Sequence, residues 1–460
     1  MVVVVVVVGL ALAACSKSPH RSAVTPTTSS TTTTVAPPTT SVGGCAVPAR
    51  ATPDPKRPRY VLHVNVVPSE HRVAGDLTVR FTPDLPTDRL VFRLWPNGPR
   101  LAAAGAHLSV GAVQLGAHPA ATTQPDPTTL VVALGSPLNA GQTIEASMTW
   151  DLKLAGPNND RIAQVGDSIR LGSFFPILPW EPGVGWATDP PATGFAEGST
   201  APTADFDMSV TVPAGLTVLA SGVPDASGAR WHAAAMRDVA LSIGRFRMAS
   251  ADAAGVHITV GVAADLPDSA AAFATKIAAK LASYTEWFGA YPWPVYTMAV
   301  TGQLRGGIEY PSHVMQGTGT IGRTTSHELA HQWFYALVGN DQGRDPWLDE
   351  GLASYAEGRA ENSLPMFRST SIPADGKGHL TSPITYWNAH QPTYYRGVYV
   401  QGVQALGTLG PVDRVDCALR IYIARNAYRI ARPADLIAAA TTVVVDAPAK
   451  LAAYGVTSSP

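Results

Sequence analysis

The apolar residues of this chain repeat with a period of two up to about residue 246 and with a period of three to four beyond about residue 263. A β-sheet unit must therefore be followed by a helical one. Leu77, Val79 and Phe81 alternate with Thr78, Arg80 and Thr82, and Ile144, Ala146, Met148, Trp150 and Leu152 alternate with polar neighbours. Phe206, Met208, Val210 and Val212 repeat the pattern. Pro, Gly and Asp turns separate these runs, as antiparallel strands with one wet face require. Phe273, Ile277, Leu281, Tyr284 and Phe288 then fall at spacings of four, four, three and four, the stripe of an amphipathic helix. Further helices are expected over residues 324–338, 346–361 and 411–428; the second has Asp345 as its N-cap and Pro346 at its first helical position. The expected fold class is α+β and multidomain: an N-terminal antiparallel β domain of saddle or sandwich type over residues 51–250, then a mostly helical domain over 251–460.

The first fifteen residues form an apolar run too short to span a bilayer, which needs about 20 apolar residues. They read as an export signal, although no Lys or Arg precedes the apolar core. Leu12-Ala13-Ala14-Cys15 resembles the bacterial lipobox, which makes Cys15 the lipidation site. Residues 16–50, rich in Ser, Thr and Pro up to Gly44, cannot bury enough apolar surface to fold and read as a disordered tether. The folded part is thus expected outside the cytoplasmic membrane, lipid-anchored to its outer face in the bacterial cell envelope, since a two- or three-chain anchor holds stably. An exported location permits a disulfide between Cys45 and Cys417, but two separate buried thiols are the slightly favoured reading, because sequence does not show the two Cα atoms within reach.

Of 460 residues, 46% are hydrophobic and 15% charged, enough to build large cores and too little charge for a disordered polyelectrolyte. With 7 Lys against 26 Arg, a formal net charge of -1 and no basic run, nucleic acid is excluded as an expected partner. The oligomeric state is not legible.

His327-Glu328-Leu329-Ala330-His331 lies inside the expected 324–338 helix. Residues at i and i+4 share a helix face, so both imidazoles can reach one ion while Glu328 stands beside it. With 12 His and 10 Glu in the chain, chance would produce such a motif about 0.007 times. Catalytic zinc takes three protein donors. Glu350, nineteen residues after His331 on the next helix, is the candidate third. Five of the ten glutamates (309, 328, 350, 357 and 361) lie within 53 residues around it.

Together, His327-Glu328-Leu329-Ala330-His331-Gln332-Trp333-Phe334 and Trp347-Leu348-Asp349-Glu350-Gly351 resemble the M1 family of zinc aminopeptidases. Gly306-Gly307-Ile308-Glu309-Tyr310 is similar to that family's Gly-Ala-Met-Glu-Asn motif, with Gly307, Ile308 and Tyr310 in place of Ala, Met and Asn. Tyr394-Tyr395-Arg396-Gly397 is similar to its Tyr-x-Lys-Gly stretch. The resemblance implies a β saddle followed by a thermolysin-like catalytic domain, here with only a short helical C-terminus and hence a more open cleft. It implies one Zn²⁺ per chain held by His327, His331 and Glu350, and peptide substrates. Glu328 is the implied general base, and Tyr394, or Tyr395 beside it, the oxyanion donor. Glu309, with Gly306 and Gly307, would bind the substrate and anchor its free amine.

The expected activity is removal of N-terminal residues from peptides at the cell envelope. A zinc endopeptidase with an unused amine anchor, or a non-catalytic peptide-binding envelope lipoprotein, are the alternatives. The aromatic residues 174, 175, 180 and 186 could line the cleft but are expected, about two to one, to be ordinary core.

Overall fold

A computed structural model describes residues 40–42, 44–194 and 199–457. The lipobox ending at Cys15 and the tether up to residue 39 lie outside the described residues. All described residues fall in the unit Thr39–Pro460. Among them no helix is long and apolar enough to cross a membrane.

Folded structure begins before residue 51. Thr40–Val42 and Cys45–Val47 pair as short antiparallel strands, inside the stretch read as tether. The reason is covalent: Cys45 is bonded to Cys417, on the helix Val412–Asn426, with Cα atoms 5.7 Å apart. The expectation of two separate thiols is thereby corrected. Residues 372 positions apart are joined, and closing so long a loop in the unfolded chain makes the bond worth up to about 5 kcal/mol.

The β half is built on a nine-stranded sheet. Arg59–Val67 pairs with Arg72–Phe81, which pairs with Ile144–Lys153 through ten residues in antiparallel register. One pairing departs from the antiparallel expectation, since Ala204–Thr211 runs parallel to Arg59–Val67. The expected alternation holds: Tyr60, Leu62, Val64, Leu77, Val79, Met148, Trp150, Phe206 and Met208 are buried. Phe174, Phe175 and Trp180 are buried with them, and Trp186 packs on Trp180 with ring centroids 4.7 Å apart, so these aromatics are core rather than cleft.

A five-stranded sheet opens the second half, in the order Phe246–Ala253, Val256–Ala263, Val295–Thr301, His313–Gly317, Gly307–Tyr310. Its first hairpin pairs along its whole length, so the second architecture starts at Phe246, a few residues before the expected boundary. Helix Ala270–Phe288 buries the expected stripe of Phe273, Ile277, Leu281, Tyr284 and Phe288, and Ser269 caps it by accepting from Ala272 N at 3.3 Å.

The helix carrying His327 is shorter than expected. It spans Arg323–Ala330, and residues 331–338 turn away from helical geometry, with Tyr335 at φ 119°. Tertiary partners win here. The buried Arg237 guanidinium donates to Ala336 O at 3.4 Å and to Ala201 O at 2.9 Å, and Gly339–Asn340 pairs in parallel with Ile430–Ala431. The next helix is Trp347–Ala360, with Pro346 as its flanking residue, one position later than the sequence suggests.

Candidate metal and active site

His327 and His331 project from one face of the short helix, ring centroids 4.7 Å apart. Their Nε2 atoms lie 3.1 and 3.5 Å from Glu350 Oε2, which the Trp347–Ala360 helix brings back across the connecting loop. Donors bonded to zinc at about 2.0–2.2 Å in a tetrahedron stand about 3.3 Å apart, and the two separations bracket that value. The donor set therefore fits one zinc ion.

Carboxylates orient both imidazoles from behind. Glu357 Oε2 lies 3.2 Å from His327 Nδ1, and Asp349 Oδ1 lies 2.6 Å from His331 Nδ1, which leaves each Nε2 directed at the donor cluster. Burial opposes charge on His327, but the hydrogen bonds it donates to Glu350 and Glu357 outweigh it and push the imidazole up to about 9. Burial likewise works against ionised Glu350, and the two histidines overcome it, holding the carboxyl well below the usual range.

Glu328 lies beside this cluster in a cleft of about 450 Å³ that Gly306, Gly307 and Glu309 also line. Those three belong to or precede the strand Gly307–Tyr310, an edge strand that pairs only with His313–Gly317 among the described strands. Glu309 is buried, its carboxylate within 4.8 Å of ligand atoms of His331 and Asp349. The β half fastens this edge. Arg161 Nη1 donates to Tyr310 Oη at 3.2 Å, Ser173 meets the same hydroxyl at 3.1 Å, and Arg305 N donates to Asn159 Oδ1 at 2.7 Å.

The tyrosines separate. Tyr394 is buried, its ring 5.7 Å from Trp387 and 5.8 Å from Tyr399, and is not among the residues lining the cleft. Tyr395 lines the cleft and is half exposed. Tyr399 lines it too, stacks on His327 with an interplanar angle of 14°, and donates to Glu350 Oε1 at 2.5 Å. Sequence reasoning missed Tyr399. Its signal is a second Tyr-x-x-Gly, Tyr399-Val400-Gln401-Gly402, five residues after the first. Residues Tyr395–Val400 form a π-helical turn, a feature common at functional sites, so Tyr394 and Tyr399 stand one wide turn apart.

Residues 308–376 match the model of the peptidase family M1 domain. Over that segment the chain is similar to the M1 peptidases. The matched range holds Glu309, His327, Glu328, His331 and Glu350, so the cluster with zinc geometry falls where the family match lies. Around this segment the fold is that of two-domain M1 zinc metallopeptidases. The structure of M1 zinc metallopeptidase from Deinococcus radiodurans superposes with a TM-score of 0.63 at 22% identity, covering 89% of this chain and 96% of that one. A mutant of that enzyme bound to a Tyr-Ser-Ala substrate gives 0.64 at 22% identity, covering 88% and 96%. Aminopeptidase N of Rattus norvegicus and of Oryctolagus cuniculus are each 62% identical over 32 residues, a stretch spanning 7% of this chain and 3% of theirs.

Proposed function

We propose that the chain is a zinc-dependent aminopeptidase that acts on short peptides at the cell envelope. The observation that carries this reading is the buried Glu309 carboxylate beside the metal donors, at the edge of the cleft that Glu328 shares. A carboxylate there pairs with the free ammonium of a substrate and fixes cleavage one residue from the N-terminus. The unpaired strand edge offers backbone groups to an extended peptide.

Bound zinc supplies Lewis acidity, which polarises a carbonyl and acidifies water. Glu328 accepts the proton of the attacking water and passes it to the departing amine. The oxyanion donor we assign to Tyr399 rather than Tyr394, because the Tyr399 hydroxyl reaches the donor cluster and Tyr394 lies outside the cleft lining. Such a donor is worth about 2.7–4 kcal/mol in the transition state. Glu357 holds His327 from behind.

Export and anchoring at Cys15 belong to the same proposal. The Cys45–Cys417 bond supports them, since disulfides persist in oxidising compartments. The deciding experiment is a fluorogenic aminoacyl panel on the full chain, with and without chelator, together with a peptide in free and N-acetylated forms. Release of N-terminal residues that stops on chelation or acetylation is expected. Equal turnover of the acetylated peptide makes the enzyme an endopeptidase, and full activity without metal removes the zinc reading.

A further inference from the structure

A chain of side-chain contacts leads from the β half to a metal donor. Ser199, which precedes the strand Ala204–Thr211, donates its hydroxyl to Gln342 Oε1 at 2.6 Å and accepts from Gln342 N at 3.2 Å through its carbonyl. Gln342 Nε2 donates to Asp349 Oδ2 at 2.6 Å. The other oxygen of Asp349 lies 2.6 Å from His331 Nδ1. Gln342, Asp349 and His331 are each at most 1% exposed.

Every position in this chain is chemically constrained. A carboxylate only accepts, so the amide of Gln342 must turn its NH₂ toward Asp349, which leaves its carbonyl for the Ser199 hydroxyl. Asp349 is fully buried; one oxygen accepts from Gln342, and the other stands 2.6 Å from His331 Nδ1 as an ion-pair contact. Take Gln342 away, and one carboxylate oxygen loses its donor where water does not reach, so the side chain is drawn to a new partner. His331 Nδ1 makes its hydrogen bond with Phe334 O, 3.2 Å away, and without Gln342 the Asp349 charge beside it would lose its tether.

We propose that Gln342, gripped by Ser199, is a positioning residue that fixes Asp349 against His331 and so sets how tightly the metal is held. The β half is on this account a working part of the metal centre, in addition to being one wall of the cleft. The inference rests on the reading of His327, His331 and Glu350 as metal ligands.

The test is the zinc dissociation constant of the full chain, measured by competition with a chromophoric chelator, for wild type, Ser199→Ala, Gln342→Leu, Asp349→Asn and the Gln342→Leu/Asp349→Asn pair. Partners behind a ligating histidine typically account for about 10–100-fold in metal affinity. Asp349→Asn is expected to lose that much, Gln342→Leu about 10-fold, and Ser199→Ala less in the same direction. The double variant is expected to bind no more weakly than Asp349→Asn alone, because both act on one path. A purely structural role would lower the melting temperature of the metal-free protein and leave the zinc constant unmoved. Wild-type zinc affinity in Gln342→Leu, or losses that add in the double variant, overturn the proposal. If Gln342→Leu does not fold, Ser199→Ala decides, and unchanged affinity there overturns it. A wild-type chain that binds no zinc removes the metal site itself, an outcome distinct from the others.

Discussion

A β-carbon at position 307 would stand 2.2 Å from Glu328 Cγ and 2.5 Å from its Oε1. Gly307 thus gives the Glu328 carboxylate its space, where the family motif has alanine. Because the atoms met belong to a flexible side chain, Gly307→Ala should move the carboxylate and spare the fold. We expect kcat to fall on the order of 10–100-fold, the usual scale for a reacting group displaced by about 1 Å, with melting temperature and zinc content unchanged. Unaltered kcat would mean that Glu328 already works from a displaced position.

Glu328→Gln keeps the shape of the side chain and removes its basicity. Zinc content should stay at one per chain, while peptide hydrolysis drops at least about 100-fold, the lower end of what general base catalysis contributes. Metal analysis alongside an aminoacyl assay reads both. If the variant binds zinc and wild type shows no hydrolysis above it on any peptide, a binding protein is favoured over an enzyme.

Phenylalanine at two tyrosine positions discriminates the oxyanion donors. Tyr399→Phe should cost about 100-fold or more in kcat with little change in KM. Tyr394→Phe, a residue packed between Trp387 and Tyr399, should cost only a few-fold. The reverse ranking would return the role to Tyr394.

Cys417→Ser opens the covalent link between the first strands and the helix Val412–Asn426. Stability should fall by about 2–5 kcal/mol, the usual cost of losing a native disulfide. Reduced wild type should melt with the variant in a thermal scan. The aminoacyl assay well below the melting temperature should be unaffected, since the bond touches no cleft residue.

Burial, reinforced by Asp341 and Glu181, pushes the Asp345 carboxyl up to about 7. Unfolded, it ionises near the usual value of about 4. Between those values the folded chain keeps a proton that the unfolded chain has lost, so this group lowers stability progressively as pH rises from about 4 to about 7, and fully above. Asp345→Asn removes that titration. It should raise the free energy of unfolding more at pH 8 than at pH 5, by a margin on the order of 1 kcal/mol, read by denaturant titration at both values. Equal gains at both values would show that Asp345 is ionised throughout.

Much of the site is legible because its spacing is helical. His327 and His331 share a face in any helix, and Glu350 comes on the next one, so three donors could be named without coordinates. Glu309 and Glu328 came with the same motifs. The strand pattern of 77–81, 144–152 and 206–210 was readable because each strand has one buried face, and the parallel pairing of Ala204–Thr211 was not, because a period of two carries no direction.

What sequence alone determined is therefore local: which residues face together, where the period changes, and which donors can meet at one ion. Tertiary structure decided the rest. It ended the His327 helix at Ala330, because Arg237 and the Ile430–Ala431 strand draw the following segment away. It joined Cys45 to Cys417 across 372 positions. It set the Tyr399 hydroxyl against Glu350 through a π-helical turn that no α or β period describes, and it placed Gln342 and Ser199 behind His331. Each of these rests on contacts between residues far apart in the chain, and periodicity records only how a residue relates to its near neighbours.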